Sequence, residues 1–299
     1  MKPILIILPD AGYDPSEAAI SWQQLQAAGE HIVFATPDGN PAVADPLMVS
    51  GEGLDLWSRL PGLHRMKLVG LFLRANRDAR RAHAAMIQSR AYGQPLRYAD
   101  VDPGDYDGIV FPGGHAKPIR RYLESEALFA LVNRCLDGQA ADRHLPIGAI
   151  CHGVLVLARA RNAQGESAIA RRRVTALTWA LEKKAWQTAR LTRFWEPDYY
   201  RTYAEQPGEA AGYWSVEQEI SRALIAPGVF LDVQHGVSDY RRKTDGLHRD
   251  TRDNSRPSWV VRDGHLVTAR WPGDAHAFAA GFLDVVREWR TQEGHHEQA

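Results

Sequence analysis

Residues 146–160, Pro-Ile-Gly-Ala-Ile-Cys-His-Gly-Val-Leu-Val-Leu-Ala-Arg-Ala, hold the pattern that decides the fold. The apolar run Pro146 to Ile150 reads as a strand buried on both faces, and Val154 to Ala160 as an apolar helix. Between them stand Cys151, His152 and Gly153. A sharp strand-to-helix turn flanked by small residues lifts one side chain above the sheet, which is how a nucleophile elbow works. A cysteine there also sits at a helix N-terminus, whose partial positive charge favours the thiolate and predicts a lowered pKa. The competing reading is a small buried hydrophobe at a strand end, the common state of free cysteine.

Working outward, the same alternation repeats. Pro3 to Leu8 is a second buried strand, followed by a helix over 15–28 with Asp14 as N-cap, Pro15 at the first helical position and Gly29 as the left-handed stop. His31 to Ala35 returns as a strand. From Thr36 to Asp107 the pattern loosens into an excursion with one helix in 77–89. Gly108 to Phe111 is another strand, followed by Pro112-Gly113-Gly114-His115 and helices in 118–139. Beyond the elbow come a short strand at Val174 to Leu177 and a segment from Trp179 to Leu224 carrying Trp179, Trp186, Trp195 and Trp214. That segment is too long for a simple connection and reads as a helical cap over about 179–225. Ser258 to Ala269 is a hairpin turning at Asp263-Gly264, and a last helix runs from Asp274 to about Trp289. The alternation predicts one α/β domain over 1–290, an open, mainly parallel sheet sandwiched by helices, and a disordered polar tail over 291–299 that includes His295-His296.

Composition limits the partners. Lys plus Arg and Asp plus Glu both number 36. A chain without net charge has no global field for holding polyanions, so neither nucleic acid nor an anionic membrane is expected as main partner. The opening MKPILIILPD is too short for a signal core and no run is long enough to span a bilayer, which predicts a cytoplasmic protein. Two cysteines, Cys135 and Cys151, make neither a disulfide framework nor a zinc spacing. With no H-E-x-x-H among 12 histidines, no metal and no cofactor are predicted.

Several residues near the elbow carry candidate roles. Gly113 and Gly114 follow an apolar strand and can turn backbone N–H groups inward to hold an oxyanion; an ordinary tight turn is the alternative. Glu17, at the third helical position after Asp14, suits a capping box, yet the first βα turn also lies at the strand ends where a carboxyl group can meet the cysteine. His115 is a candidate substrate contact or an exposed loop histidine. Capping accounts for Asp274 beside His276, and Arg171-Arg172-Arg173 reads as a solvated turn. The four tryptophans suit a core or a water-excluding lid.

The segments PDAGYDPSEAAISWQQLQAAG, DYDGIVFPGGH and PIGAICHGVLVLA together resemble the ThiJ/PfpI superfamily of class I glutamine-amidotransferase-like proteins, in order and spacing. The resemblance extends over most of 3–290 and implies a flavodoxin-like fold. It implies Cys151 as nucleophile, Glu17 as the group that protonates or orients it, and Gly113, Gly114 and His152 as an oxyanion hole. His152 matches the histidine after the nucleophile in the hydrolase-like and glyoxalase-like branches. Glu182 falls where an acidic residue completes a Cys-His-acid triad in some glyoxalase-like members; a solvated helical glutamate is the alternative. Homodimers are the implied assembly. Both the 36–107 excursion and the Trp-rich segment are longer than in compact members.

Three functions follow as expectations. The first is conversion of a small reactive carbonyl, glyoxalase III-like or deglycase-like, such as methylglyoxal to lactate, without metal or nucleotide. The second is a cysteine amidohydrolase or peptidase using the same parts. The third is a redox-responsive holding chaperone.

Overall fold

The computed structural model describes residues 1–63, 65–137 and 144–296. Aliphatic runs without polar alternation become the central strands of one seven-stranded sheet. Its strands are β1 (Ile4–Ile7), β2 (Ile32–Thr36), β3 (Leu96–Arg97), β4 (Gly108–Phe111), β5 (Ile147–Ile150), β6 (Val260–Asp263) and β7 (Leu266–Ala269). They lie in the order β6-β7-β5-β4-β1-β2-β3. Neighbours run parallel except in the β6–β7 hairpin. This is the open, mainly parallel α/β sheet expected from the alternation of strands and helices, and the flavodoxin-like architecture that the resemblance implies.

Side chains of a strand alternate between faces. On one face Ile4, Ile6, Phe34, Val110 and Val267 pack under α1 (Pro15–Ala27), α4 (Arg77–Met86) and α9 (Ala275–His296). On the other, Leu5, Ile7, Ile109, Phe111, Ile147 and Ala149 meet α5 (Glu126–Asp137), α6 (Gly153–Arg159) and α8 (Val216–Ala223). Gly108 and Gly148 leave room for α9, since a Cβ would lie 2.8 Å from the Phe282 ring at Gly108 and 2.9 Å from the Phe278 ring at Gly148. Replacing either phenylalanine by alanine is expected to cost about 3–5 kcal/mol.

A third apolar cluster lies off the sheet. Met48, Leu54, Ala189, Tyr199 and Tyr200 join the 36–107 excursion, with α2 (Pro46–Ser50) and α3 (Val69–Leu73), to α7 (Trp179–Thr192). Guanidinium groups fix the tryptophans there: Arg201, buried to 1% exposure, lies over Trp179 at 4.9 Å and Trp186 at 5.3 Å.

Some expected boundaries move. Only the first part of the 179–225 segment stands over the strand ends; α8 instead places Val216, Ile220 and Ala223 in the core below α6. The expected strand at 174–177 is a two-residue strand, Arg173–Val174, paired with Val229–Phe230 outside the main sheet. The last helix does not stop near Trp289. It continues through 291–296, part of the expected tail and including the backbone of the His295-His296 doublet, while 297–299 lie outside the described residues. Asp274 does not cap it. Its carboxylate is held by Arg270 at 2.9 Å, and Asp250 instead accepts the N–H groups of His276 (3.2 Å) and Ala277 (2.7 Å).

Candidate active site

At the carboxyl end of β5 the chain reverses into α6 through Cys151, whose φ of 58° is left-handed for a residue with a side chain. Such a conformation costs of order 1–3 kcal/mol and persists only where its surroundings impose it. Here the Cys151 N–H donates to the Ala269 carbonyl at 3.0 Å. Gly153 is pressed against β4, where a Cβ would lie 2.1 Å from the Phe111 carbonyl oxygen. The thiol is 5% exposed and lines a cavity of about 290 Å³ together with Glu17, His152, Gly114 and His115.

Glu17 lies wholly inside, although Asp14 caps α1 as expected, accepting from the Ser16 and Glu17 N–H groups at 2.7 and 3.2 Å. Released from capping, its Oε2 accepts the Gly113 N–H at 2.7 Å. Oε1 has no partner in hydrogen-bond geometry, and the carboxyl's other close interaction is with the Cys151 thiol. Burial, then the neighbouring Asp14 charge, raises Glu17 well above the usual carboxyl range, so the group is held protonated. Burial, then Glu17 and Asp14, also pushes the Cys151 thiol up. This reverses the expected lowering: the N-terminal field of a seven-residue helix is outweighed by loss of water and two acidic neighbours.

With the thiol raised, a thiolate would need a base beside it. The His152 Nδ1 lies 3.4 Å from Sγ. Its Nε2 lies 3.0 Å from Thr202 Oγ1, which donates to the His115 carbonyl at 2.7 Å. A hydroxyl has one proton. Thr202 must therefore accept from Nε2–H, leaving the Nδ1 lone pair toward sulfur. Burial, then nearby His115, Arg159 and Arg201, lowers His152 well below its usual value and keeps the ring neutral.

Glu182 does not fill the acid position. Both His152 nitrogens are already engaged, and the buried Glu182 carboxyl pairs with Arg201 at 3.2 Å and accepts the Val216 N–H at 3.2 Å. Burial pushes its pKa up to about 7. It lines the cavity without touching the imidazole, and Thr202 orients the ring instead.

The expected oxyanion donors separate. Gly113 gives its N–H to Glu17 and is not free for a ligand. It must still be glycine, since a Cβ would lie 2.7 Å from the His152 nitrogen. Gly114, with φ 156°, has an N–H with no hydrogen-bond acceptor among the described residues and lines the cavity. The His152 N–H faces Sγ. Gly114 and His152 thus remain as donors beside the sulfur.

His115 is not an exposed loop residue. It stacks on Tyr200 with ring centroids 4.1 Å apart and meets Tyr199 edge-on at 4.9 Å. Cys135 is sealed in α5, where burial pushes its thiol up to about 12. Val69, Phe72 and Leu73 of α3, Leu181 and Ala185 of α7, and Leu247 give the cavity apolar walls. Among the described residues no cluster of three or more His, Cys, Asp or Glu side chains is arranged to hold a metal ion, and no helix is long and apolar enough to cross a membrane.

Sequence reasoning missed Thr202, Asp14 as a cavity residue, Tyr200, Trp271 and Arg249. Thr202 meets its partner across 50 positions of chain and belongs to no motif. The Tyr199-Tyr200 doublet beside Arg201 was the one compositional signal near it.

The chain is similar in sequence and in fold to known proteins. A deglycase of Thermococcus kodakarensis is 27% identical over 117 residues, 37% of this chain and 62% of that protein. An uncharacterized protein of Schizosaccharomyces pombe is 27% identical over 168 residues, 56% of this chain and 53% of that one. The chain thus spans between half and two thirds of the length of these relatives. Among solved structures, the Rapid Encystment Protein 24 kDa of Francisella tularensis superposes with a TM-score of 0.60 at 16% identity, covering 96% of this chain and 99% of that one. Glyoxalase III of Candida albicans superposes with a TM-score of 0.54 at 15% identity, covering 95% and 97%. These similarities establish the fold. The family model described as ThiJ/PfpI family-like matches residues 8–209, and the chain belongs to that family.

Proposed function

We propose that this protein is a cysteine enzyme acting on small reactive carbonyls, by a glyoxalase III-like or deglycase-like reaction in which its own side chains supply the reacting groups. The carrying observation is the 3.4 Å approach of a neutral His152 Nδ1, its tautomer set by Thr202, to the Cys151 sulfur. His152 takes the thiol proton as sulfur adds to the aldehyde carbon of methylglyoxal. The resulting oxyanion is met by the Gly114 and His152 N–H groups and is protonated to a hemithioacetal. His152 then moves the aldehyde-derived proton from C1 to C2 through an enediol, giving a lactoyl thioester. Water cleaves the thioester, releasing lactate and restoring the thiol. Glu17, held protonated beside the sulfur, can return a proton when the thiol is released.

A cavity of about 290 Å³ with apolar walls suits a small molecule better than a peptide, which weighs against the peptidase reading. A thiol raised by burial ionises reluctantly, which weighs against redox sensing. The test is consumption of methylglyoxal without glutathione, followed as lactate formed. Wild type is expected to turn it over and Cys151→Ala to lose it; equal rates, or no turnover of any small aldehyde by wild type, would refute the proposal.

A further inference from the structure

Arg249 lines the same cavity as Cys151. Its guanidinium lies over Trp271, 5.5 Å from the ring centroid, and makes one hydrogen bond, from Nη2 to the Leu73 carbonyl at 3.3 Å. No carboxylate stands within ion-pair distance of it among the described residues, so most of its five N–H donors have no protein acceptor. The indole N–H of Trp271, a residue 9% exposed that also lines the cavity, has no acceptor either. The Trp271 donor is buried and unsatisfied, whereas Arg249 is only half-buried, so its unpaired N–H groups stay open to a ligand in the cavity.

The other charges around the cavity sharpen the picture. Glu17 is held protonated, Glu182 is paired with Arg201, and His115 and His152 are both lowered toward the neutral form. Lys184 gives its ammonium to the Asp245 carbonyl. Asp14, Glu17 and Asp250 are the acids that interact with Arg249, Asp14 most strongly; the Asp14 Oδ1 is already taken by two helix N–H groups, and Asp250 accepts the His276 and Ala277 N–H groups. The cavity therefore offers the Arg249 guanidinium, seated over the Trp271 ring, together with the thiol and apolar walls from Val69, Phe72, Leu181 and Leu247.

We infer that Arg249, held over the Trp271 ring, forms an anion-binding subsite for the substrate's carboxylate, so that the preferred substrate class is a carboxylate-bearing carbonyl compound with an apolar body. The inference rests on reading the cavity as a substrate site and names what that site selects. A planar guanidinium meets a carboxylate through two parallel hydrogen bonds, and the low dielectric of a walled cavity strengthens them.

Binding of unreactive probes tests this without turnover. Calorimetry on the full chain with 4-methylpentanoate and its uncharged analogue 4-methylpentanamide is expected to show the carboxylate binding at least tenfold more tightly. Arg249→Met should collapse that ratio toward one, and Arg249→Lys, which keeps the charge but loses the fork, should retain part of it. Equal binding of the two probes by wild type, or a preference that survives in folded Arg249→Met, overturns the subsite. The wild-type comparison decides even if the methionine variant does not fold. If carboxylate preference is found while no small aldehyde, with or without a carboxylate, is consumed, the proposed reaction fails and the subsite stands. If methylglyoxal is consumed with no preference between the probes, the reverse holds.

Discussion

Thr202 Oγ1 lies 3.0 Å from His152 Nε2 and donates its proton to the His115 carbonyl. The threonine is itself fixed, since Arg120 donates to its carbonyl oxygen from Nε at 2.7 Å. A neutral hydroxyl thus does what an acid does in a charged triad: it selects the tautomer and holds the ring. Thr202→Val keeps the shape and removes the acceptor. We expect kcat/KM to fall by about 10- to 100-fold, with the larger change in kcat, and Thr202→Ser to recover most of it. Steady-state kinetics of the two variants checks this, and unchanged kcat in the valine variant would show that the ring needs no such partner.

Glu17 links stability to pH with a definite sign. Its folded-state pKa is raised well above 4.5, so between 4.5 and the folded value the native state keeps a proton that the unfolded chain has lost. Its contribution is full below about pH 4.5 and is lost as pH rises through that window. Glu17→Gln, which still accepts from the Gly113 N–H, should therefore gain stability relative to wild type as pH rises. Glu17→Ala should lose about 1–3 kcal/mol by leaving that buried N–H unsatisfied. Denaturant melts from pH 4 to 8 would show it; a glutamine variant that loses ground to wild type with rising pH contradicts the assignment.

Alkylation of Cys151 should report a buried, protonated thiol. Because burial and its acidic neighbours push this thiol up, the rate with iodoacetamide is expected to keep rising with pH, without a plateau below about pH 9. Cys135, sealed in α5, should react more slowly still. Mass spectrometry of the two peptides over a pH series measures both, and a plateau near pH 6 would mean that the helix N-terminus dominates after all.

Gly113→Ala places a Cβ 2.7 Å from the His152 nitrogen and 2.9 Å from both the Gly153 nitrogen and the Ile150 oxygen. Backbone on three sides cannot yield without moving the elbow. We expect a loss of about 1–3 kcal/mol, read as a lowered Tm, together with at least a 100-fold loss of any Cys151-dependent turnover. A thermal melt paired with an activity assay checks both, and an alanine variant with wild-type turnover would show that the elbow tolerates the shift.

The parts of the molecule that local chemistry decides were legible in the sequence. The aliphatic runs at 4–7, 108–111 and 147–150 became buried parallel strands, and Asp14 caps α1. Asp14, Glu17, Gly113, Cys151 and His152 lie within one constellation because each follows a strand whose carboxyl end points the same way. What the sequence hid depends on contacts between distant segments. Thr202, Asp250 and Arg249 have ordinary neighbours in sequence and acquire meaning only through partners brought from elsewhere. Glu182 shows the converse: the resemblance implied a triad acid there, but its carboxyl is taken by Arg201 at 3.2 Å and by the Val216 N–H, partners from later in the chain. The direction of the Cys151 shift was misread because burial is a property of the whole fold, whereas the helix N-terminus is visible in a few letters.

The two kinds of wall around the cavity have different origins. Cys151, His152 and Glu17 are set by the strand ends and the turns that leave them, whereas α3, α7 and the 246–249 loop come from stretches that wander off the sheet and pack mainly on one another. On the proposed function, reactivity and selectivity are therefore carried by separable lengths of chain. Exchanging the outlying stretches between relatives would retune what enters while leaving the sulfur and its base in register, so this architecture can diversify its diet without rebuilding its chemistry.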